Sequence, residues 1–246
     1  MNRNSSDDQT TNTCDLPLAL ALSGGGIRAM IFHLGVLKYL AEKNKLHCIQ
    51  HISTVSGGSL ILGLILQSNK MLWPNSSVFL TDTLPDLKQK LCTRSLMAGM
   101  LRQLKNPKNF RFLLSRSNLL ANTLCDEWEI DCKLSEIPDH PIWHINATTA
   151  ETGKRFRFKK ENLGEYSLGY TKDTQKFPLA KAMAVSAAFP GGIGPLVINP
   201  LDYTWHKRPW GQAETENKEI SLNHSRLHLY DGGVYDNLGL EPFFDT

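Results

Sequence analysis

Ile49-Gln50-His51-Ile52-Ser53-Thr54-Val55-Ser56-Gly57-Gly58-Ser59-Leu60 reads as a β-strand that turns sharply into a helix. Ile49, Ile52 and Val55 are strand-forming apolar residues, and Gly57 and Gly58 let the chain reverse without the cost of a side chain. Residues 60–66 are apolar on most sides, as in a helix buried against a sheet. Ser56 stands at the turn itself. Two roles suit a serine there. It caps the helix with its hydroxyl, or, lifted clear of the backbone at a helix N-terminus, it serves as a nucleophile.

Upstream, residues 16–22 form a short continuous apolar run that suits a central strand buried on both faces. It leads into Ser23-Gly24-Gly25-Gly26-Ile27-Arg28-Ala29 and then a helix with Ile31, Leu34, Val36, Leu37 and Leu40 on its apolar side. A glycine loop between a strand and a helix can aim its N–H groups at one spot and bind an anion. Arg28 falls in the first helical turn, where the helix dipole disfavours a cation by about 0.3–1 kcal/mol. It either meets a negative group or is a plain surface arginine. The loop also matches G-x-G-x-x-A through Gly24, Gly26 and Ala29, a dinucleotide fingerprint. That reading needs a carboxylate at the end of the next strand, where Thr54-Val55-Ser56 stands instead, so it is set aside.

Downstream, residues 70–134 are irregular and then mostly helical, a helical cap, with apolar helical spacing over 91–104 and 110–124. Residues 102–116 interleave Arg102, Lys105, Lys108, Arg111 and Arg116 with Phe110 and Phe112. Such a segment lies on an anionic membrane surface or is simply a solvated basic face. Residues 142–147 read as a strand, 148–154 as a turn and 156–158 as its return. Residues 179–188 make a small-residue helix stopped by Pro190-Gly191-Gly192, with Ser186 read as a packing residue. Residues 203–224, with Trp205 and Trp210, read as a surface loop or hairpin, and 226–230 as a last strand ending in Asp231-Gly232-Gly233.

At 246 residues the chain suits one large domain. Its net charge of +3 is too small to argue for nucleic acid. Five unevenly spaced cysteines fit a reducing compartment better than a disulfide framework, with Cys125 and Cys132 as ordinary thiols. Residues 1–15 are polar, with no signal-peptide core, and are expected to be a disordered tail before a domain over 16–246. No apolar run approaches the roughly 20 residues that span a bilayer. The expected location is cytoplasmic, with any membrane contact peripheral.

The triple glycine, Ser56 and Asp231 each follow a predicted strand, and strand C-termini of an open parallel sheet share one edge. A nucleophile, a bank of N–H groups and a carboxylate there make an acyl-transfer site. Ser56 would attack a carbonyl, Gly25 and Gly26 with Gly57 would hold the oxyanion, and Asp231 would take the serine proton. A Ser-His-Asp triad in α/β-hydrolase order needs a histidine after the acid. None of the eight histidines lies beyond Asp231, so a Ser-Asp dyad is the simpler reading. An ordinary aspartate is a weak base at neutral pH; the carboxylate is therefore expected to be shielded from water, which raises its pKa.

Gly24-Gly25-Gly26-Ile27-Arg28, Ser56-Gly57-Gly58 and Asp231-Gly232-Gly233 together resemble the signatures of the patatin-like phospholipases. Similarity extends through Asn146-Ala147-Thr148 and Ala184-Val185-Ser186-Ala187-Ala188-Phe189-Pro190 and covers most of the chain from Leu16. The resemblance implies an α/β fold, a three-layer α/β/α arrangement with a mostly parallel central sheet. It implies calcium-independent hydrolysis of fatty-acyl esters of lipids and phospholipids, with no cofactor and no metal. It carries the nucleophile onto Ser56, the acid/base onto Asp231 and the oxyanion role onto Gly24, Gly25 and Gly26, and leaves Arg28 as a candidate contact for a substrate anion. Two departures stand out. Thr54 occupies the first glycine position of G-x-S-x-G, and the sequence ends soon after Asp231, at Thr246, where closing elements would be expected. Both favour an alternative, a catalytically degenerate lipid-binding or regulatory domain.

Overall fold

Strand β2 (Ile49–Thr54) lies between β1 (Leu18–Leu22) and β3 (Ile142–Thr149) and runs parallel to both. The structure, a computed structural model, describes residues 16–112, 116–207 and 218–244, so the expected polar tail over 1–15 lies outside it. The parallel centre expected of the sheet is β1–β2–β3. Beyond it come β4 (Arg155–Phe158), β5 (Leu163–Glu165), β6 (Gly169–Thr171), β7 (Leu196–Ile198), β8 (Trp205–Lys207), β9 (Lys218–Ile220) and β10 (Leu227–Asp231). Every pair that these form is antiparallel among the described residues. The region 203–224 is thus a hairpin, β8–β9, whose tip with Trp210 falls outside the described residues.

One feature of this topology makes the site. The edge of β3 opposite β4 is shared by two strands. β2 takes its first half, with Thr54 opposite Ile145. β10 takes its second half, with Asp231 opposite Ala147. β10 is antiparallel to β3, so it runs toward β2, and the C-termini of the two strands face each other across the width of one residue, Asn146. The sequence reading placed both termini on one edge of a parallel sheet; they meet head to head instead. A short strand such as β2 leaves room for this, because its pairing ends where the chain turns at Ser56.

Side chains alternate across a strand, and here the two faces differ. Leu22, Ile52, Trp143, Ile145, Ala147, Phe156 and Phe158 share one buried face. Against it pack α2 (Gly57–Ser68) and α7 (Leu179–Ser186). Their approach is close: a Cβ on Gly58 would stand 2.2 Å from the Leu22 carbonyl oxygen, and one on Gly63 2.3 Å from Met183. Ala19, Ala21, His51, Ser53, His144, Asn146 and Arg157 share the other face. There α8 (Gly233–Asp236) and the turn after it cover one end, with Gly239 against Ser53 and Glu241 paired to Arg155. The rest of that face is basic. Burial pushes His144 down to about 3, helped by the nearby charges of Lys159, His51, Arg157 and Arg155.

α1 (Gly26–Glu42) buries Met30, His33, Leu34, Leu37 and Ala41, and leaves Ile31, expected on the apolar side, exposed. The helical stripe is rotated because His33 turns inward, its ring nitrogen on the Ser23 carbonyl at 3.1 Å. Between residues 70 and 134, α3 (Ser76–Val78) runs through a π turn into α4 (Leu84–Thr93), followed by α5 (Leu96–Gln103), a 3₁₀ turn (Pro107–Phe112) and α6 (Arg116–Trp128). The single helix expected over 91–104 is broken at Ser95, whose hydroxyl accepts the Ala98 N–H at 3.3 Å and starts α5. Cys92, Cys125 and Cys132 are free thiols, and Cys48 is disulfide-bonded. Among the described residues no helix is long and apolar enough to cross a membrane.

Candidate active site

Ser56 occupies the N-cap position of α2, yet its side chain makes no capping hydrogen bond. Its backbone has φ 53° and ψ −119°, a left-handed conformation that a serine adopts only under strain, at a cost of about 1–3 kcal/mol. The surroundings impose it. A Cβ on Gly57 would stand 2.2 Å from the Gly26 carbonyl oxygen, so the turn is pressed between β1 and the glycine loop. The hydroxyl lies near enough to the Asp231 carboxylate to lower its pKa. Of the two roles open to this serine in the sequence, the structure leaves the cap unmade and points the hydroxyl at the acid.

Asp231 ends β10 and is 6% exposed. Burial raises its pKa above the usual aspartate value, opposed by the Gly233 N–H, which donates to Oδ1 at 2.7 Å, and by the Ser56 hydroxyl. The shielded carboxylate expected from the sequence is present. A carboxylate held by few donors in a dry site is a stronger base than one in water.

Both residues open onto one cavity of about 550 Å³. Its polar end is Ser56, Asp231, Gly25, Gly26 and Asn237; its walls are apolar and come from α5, α6 and the stretch after α7, including Leu96, Met100, Leu120 and Ile193. That size and lining suit a site enclosing an apolar ligand with few polar contacts.

The glycine loop divides by role. Gly25 and Gly26 have φ of 142° and 59°, values that favour glycine, and both line the cavity. The Gly26 N–H, at the first residue of α1, has no acceptor within the helix. Gly24 differs from the expectation. Its N–H donates to the Asn237 carbonyl at 2.9 Å, so it is not free to meet an oxyanion. Gly57 is buried against Gly26, with no room for a Cβ, and is not among the residues lining the cavity. Arg28 is exposed and away from the cavity, so the structure does not bring it to the dyad. Asn237 is the residue that sequence reading missed. Its side chain sits between Gly24 and Gly233, where a Cβ on either glycine would fall within 2.6 Å of Oδ1. No pattern in the sequence marks it, since its position depends on α8 folding back over the loop.

Among the described residues no cluster of three or more His, Cys, Asp or Glu could hold a metal ion. In the basic segment 102–116, Arg102 is neutralised by Glu127, and Arg116 keeps its charge while donating to the Gly192 carbonyl at 3.1 Å. Residues 113–115 of that segment lie outside the described residues.

Comparison with solved structures finds human GIVD cytosolic phospholipase A2 at 14% identity and a TM-score of 0.58, covering 93% of this chain and 44% of that one. The same human protein in complex with methyl gamma-linolenyl fluorophosphonate aligns at 15% identity and a TM-score of 0.52, covering 88% of this chain and 35% of that one. The chain thus spans less than half the length of those structures, and at such identities the likeness is one of fold. Comparison with curated protein sequences gives no match. The model of the patatin-like phospholipase family matches residues 20–244, a span that holds the glycine loop, the strained serine and the buried aspartate alike, and the chain belongs to that family.

Proposed function

We propose that the chain is a serine hydrolase of fatty-acyl esters, acting on lipids or phospholipids through a Ser56–Asp231 dyad. The observation that carries this reading is the meeting of a strained serine and a buried aspartate at the polar end of one apolar cavity. In the reaction, Ser56 Oγ attacks the ester carbonyl while Asp231 takes its proton. The tetrahedral oxyanion is held by the N–H groups of Gly25 and Gly26; one such donor is typically worth about 10²–10³ in rate. Collapse expels the alcohol, which takes the proton back from Asp231. Water, activated by the same carboxylate, then releases the fatty acid from Ser56. The acyl chain lies along Leu96, Met100, Leu120 and Ile193.

One ground for the degenerate alternative is Thr54. That residue is wholly buried with its hydroxyl hydrogen-bonded to Ser59, and it does not line the cavity. The test is labelling with a fluorophosphonate probe. Covalent labelling of the wild type that disappears in Ser56→Ala supports the enzyme; an unlabelled wild type overturns it.

The lipid surface meets the protein at the mouth of this cavity. Ile27, Met97, Phe189 and Val234 come from four separate parts of the chain; each lines the cavity and each is more than half exposed. Ile31 and Leu101, one helical turn beyond Ile27 and Met97, extend the apolar rim. Contiguous exposed apolar surface of this kind marks a contact site. Cosedimentation with phosphatidylcholine vesicles, with and without phosphatidylserine, is expected to fall sharply in Ile27→Glu/Met97→Glu. Loss of binding in Lys105→Glu/Lys108→Glu alone would place the contact on the basic segment instead.

A further inference from the structure

Beneath the nucleophile turn runs a chain of buried hydroxyls. Trp143 Nε1–H donates to Thr54 Oγ1 at 2.8 Å, Thr54 Oγ1 lies 2.8 Å from Ser59 Oγ, Ser59 Oγ lies 2.8 Å from Ser186 Oγ, and Ser186 Oγ donates to the Asn146 carbonyl at 2.7 Å. Thr54, Ser59 and Ser186 are all fully buried. Thr54 Oγ1 also lies 3.4 Å from the His144 carbonyl, and counting donors fixes the direction of the four shorter bonds. Each hydroxyl has one proton. Ser186 gives its proton to Asn146, so Ser59 donates to Ser186; Thr54 in turn donates to Ser59 and accepts from Trp143. The bonds point one way, an arrangement in which each strengthens the next.

This chain ends on both catalytic turns. The Ser56 N–H reaches Ser186 twice, at the hydroxyl and at the carbonyl, each at 3.1 Å. The same Ser186 carbonyl accepts the Gly232 N–H at 3.4 Å, and the Ala188 carbonyl accepts the Asp231 N–H at 3.1 Å. The last carbonyls of a helix have no partner within it. Here the end of α7 lends them to the two turns that carry the nucleophile and the acid.

We propose that Thr54, Ser59 and Ser186 are positioning residues that set the separation of Ser56 and Asp231 through the end of α7. The inference rests on the hydrolase reading and gives Thr54 a function. A glycine at that place would leave the Trp143 N–H without its acceptor and Ser59 without its donor. Thr54→Val keeps the shape and removes the hydroxyl; Thr54→Ser keeps the hydroxyl and removes a methyl. None of the three residues lines the cavity, so the effect falls on kcat and not on KM. A misplacement of reacting groups by about 1 Å costs on the order of 100-fold.

The experiment measures the rate of Ser56 phosphonylation by a fluorophosphonate, kcat and KM on a soluble ester, and the thermal midpoint, in the wild type, Ser186→Ala, Ser59→Ala, Thr54→Val and Thr54→Ser. Expected are slower phosphonylation and a lower kcat with unchanged KM in Ser186→Ala, Ser59→Ala and Thr54→Val, and recovery of most of the rate in Thr54→Ser. Wild-type rates in Thr54→Val and Ser186→Ala overturn the inference. So does a Thr54→Ser variant as slow as Thr54→Val, which would assign the effect to the methyl. Should Ser186→Ala fail to fold, the two Thr54 variants decide alone, and a Thr54→Val variant that cannot fold while Thr54→Ser folds but stays slow also counts against it. A wild type that does not label at all sinks the hydrolase reading and is thereby told apart from these outcomes.

Discussion

Ser56→Ala, Asp231→Asn and the double variant are expected to lose ester hydrolysis to the same extent, each by about 10⁴-fold or more, because the two residues act as one unit. The hydroxyl without the base is a poor nucleophile, and the base without the hydroxyl has nothing to activate. Parallel kinetics on the three variants and the wild type check this; losses that multiply in the double variant would mean independent roles. The raised pKa of Asp231 adds a pH signature. Only the ionised carboxylate accepts the serine proton, so activity is expected to rise with pH through a midpoint above the usual aspartate value of about 3.9. Stability should move the other way. Between the unfolded and folded pKa values the native state binds more protons, so raising the pH through that window destabilises the fold. Asp231→Asn removes this penalty, and its thermal midpoint is expected to exceed that of the wild type at neutral pH, with the gap closing in acid.

Gly57→Ala and Gly58→Ala are expected to be strongly damaging single-methyl changes. The added Cβ would lie 2.2 Å from the Gly26 carbonyl oxygen in the first and 2.2 Å from the Leu22 carbonyl oxygen in the second. Both obstacles are backbone, one in the glycine loop and one at the end of β1, so neither can swing aside as a flexible side chain would. Relief requires α2 to move away from the sheet, which opens the packing around Leu60 to Leu66, all buried. Changes of this kind cost about 3 kcal/mol or more. For a domain of this size that lowers the thermal midpoint by about 6–12 °C. Gly35→Ala is the control: the glycine lies inside α1 with nothing within 4 Å of the new methyl. It should stabilise by about 0.5–1 kcal/mol. Thermal melts of the three variants check the ranking, and a Gly57→Ala protein as stable as the wild type would show that the turn is looser than described.

Much of this arrangement is written in short-range signals. Strand, glycine turn and helix follow one another closely at residues 18–42 and 49–68, and each step is visible in apolar runs and glycines. Those signals place β1, β2, α1, α2 and α7 nearly where they stand. They also bring Ser56, Gly25, Gly26 and Asp231 together, with the acid buried. What sequence pattern did not reveal depends on pairing between distant segments. Nothing in residues 226–231 tells whether that strand runs with or against β3. The strand lies antiparallel between β3 and β7, neither of which is adjacent to it in sequence. The use of the Gly24 N–H by Asn237, the inward turn of His33 and the break at Ser95 each follow from a partner that is far away in sequence or from a local hydrogen bond that competes with helix periodicity. Ser186 read as packing because a serine on a small-residue helix usually is; only the hydroxyl chain from Trp143 to Asn146 gives it more to do.

The head-to-head meeting of β2 and β10 on one edge of β3 also bears on when the protein becomes reactive. Thr54 pairs with Ile145 and Asp231 with Ala147, so the nucleophile and its base are joined through contacts that each span a long stretch of chain. Contacts of high sequence separation form late because closing the intervening loops costs entropy first. A growing or partly collapsed polypeptide would therefore carry an inert serine, and acquisition of the covalent label would serve as a clock for the last step of assembly.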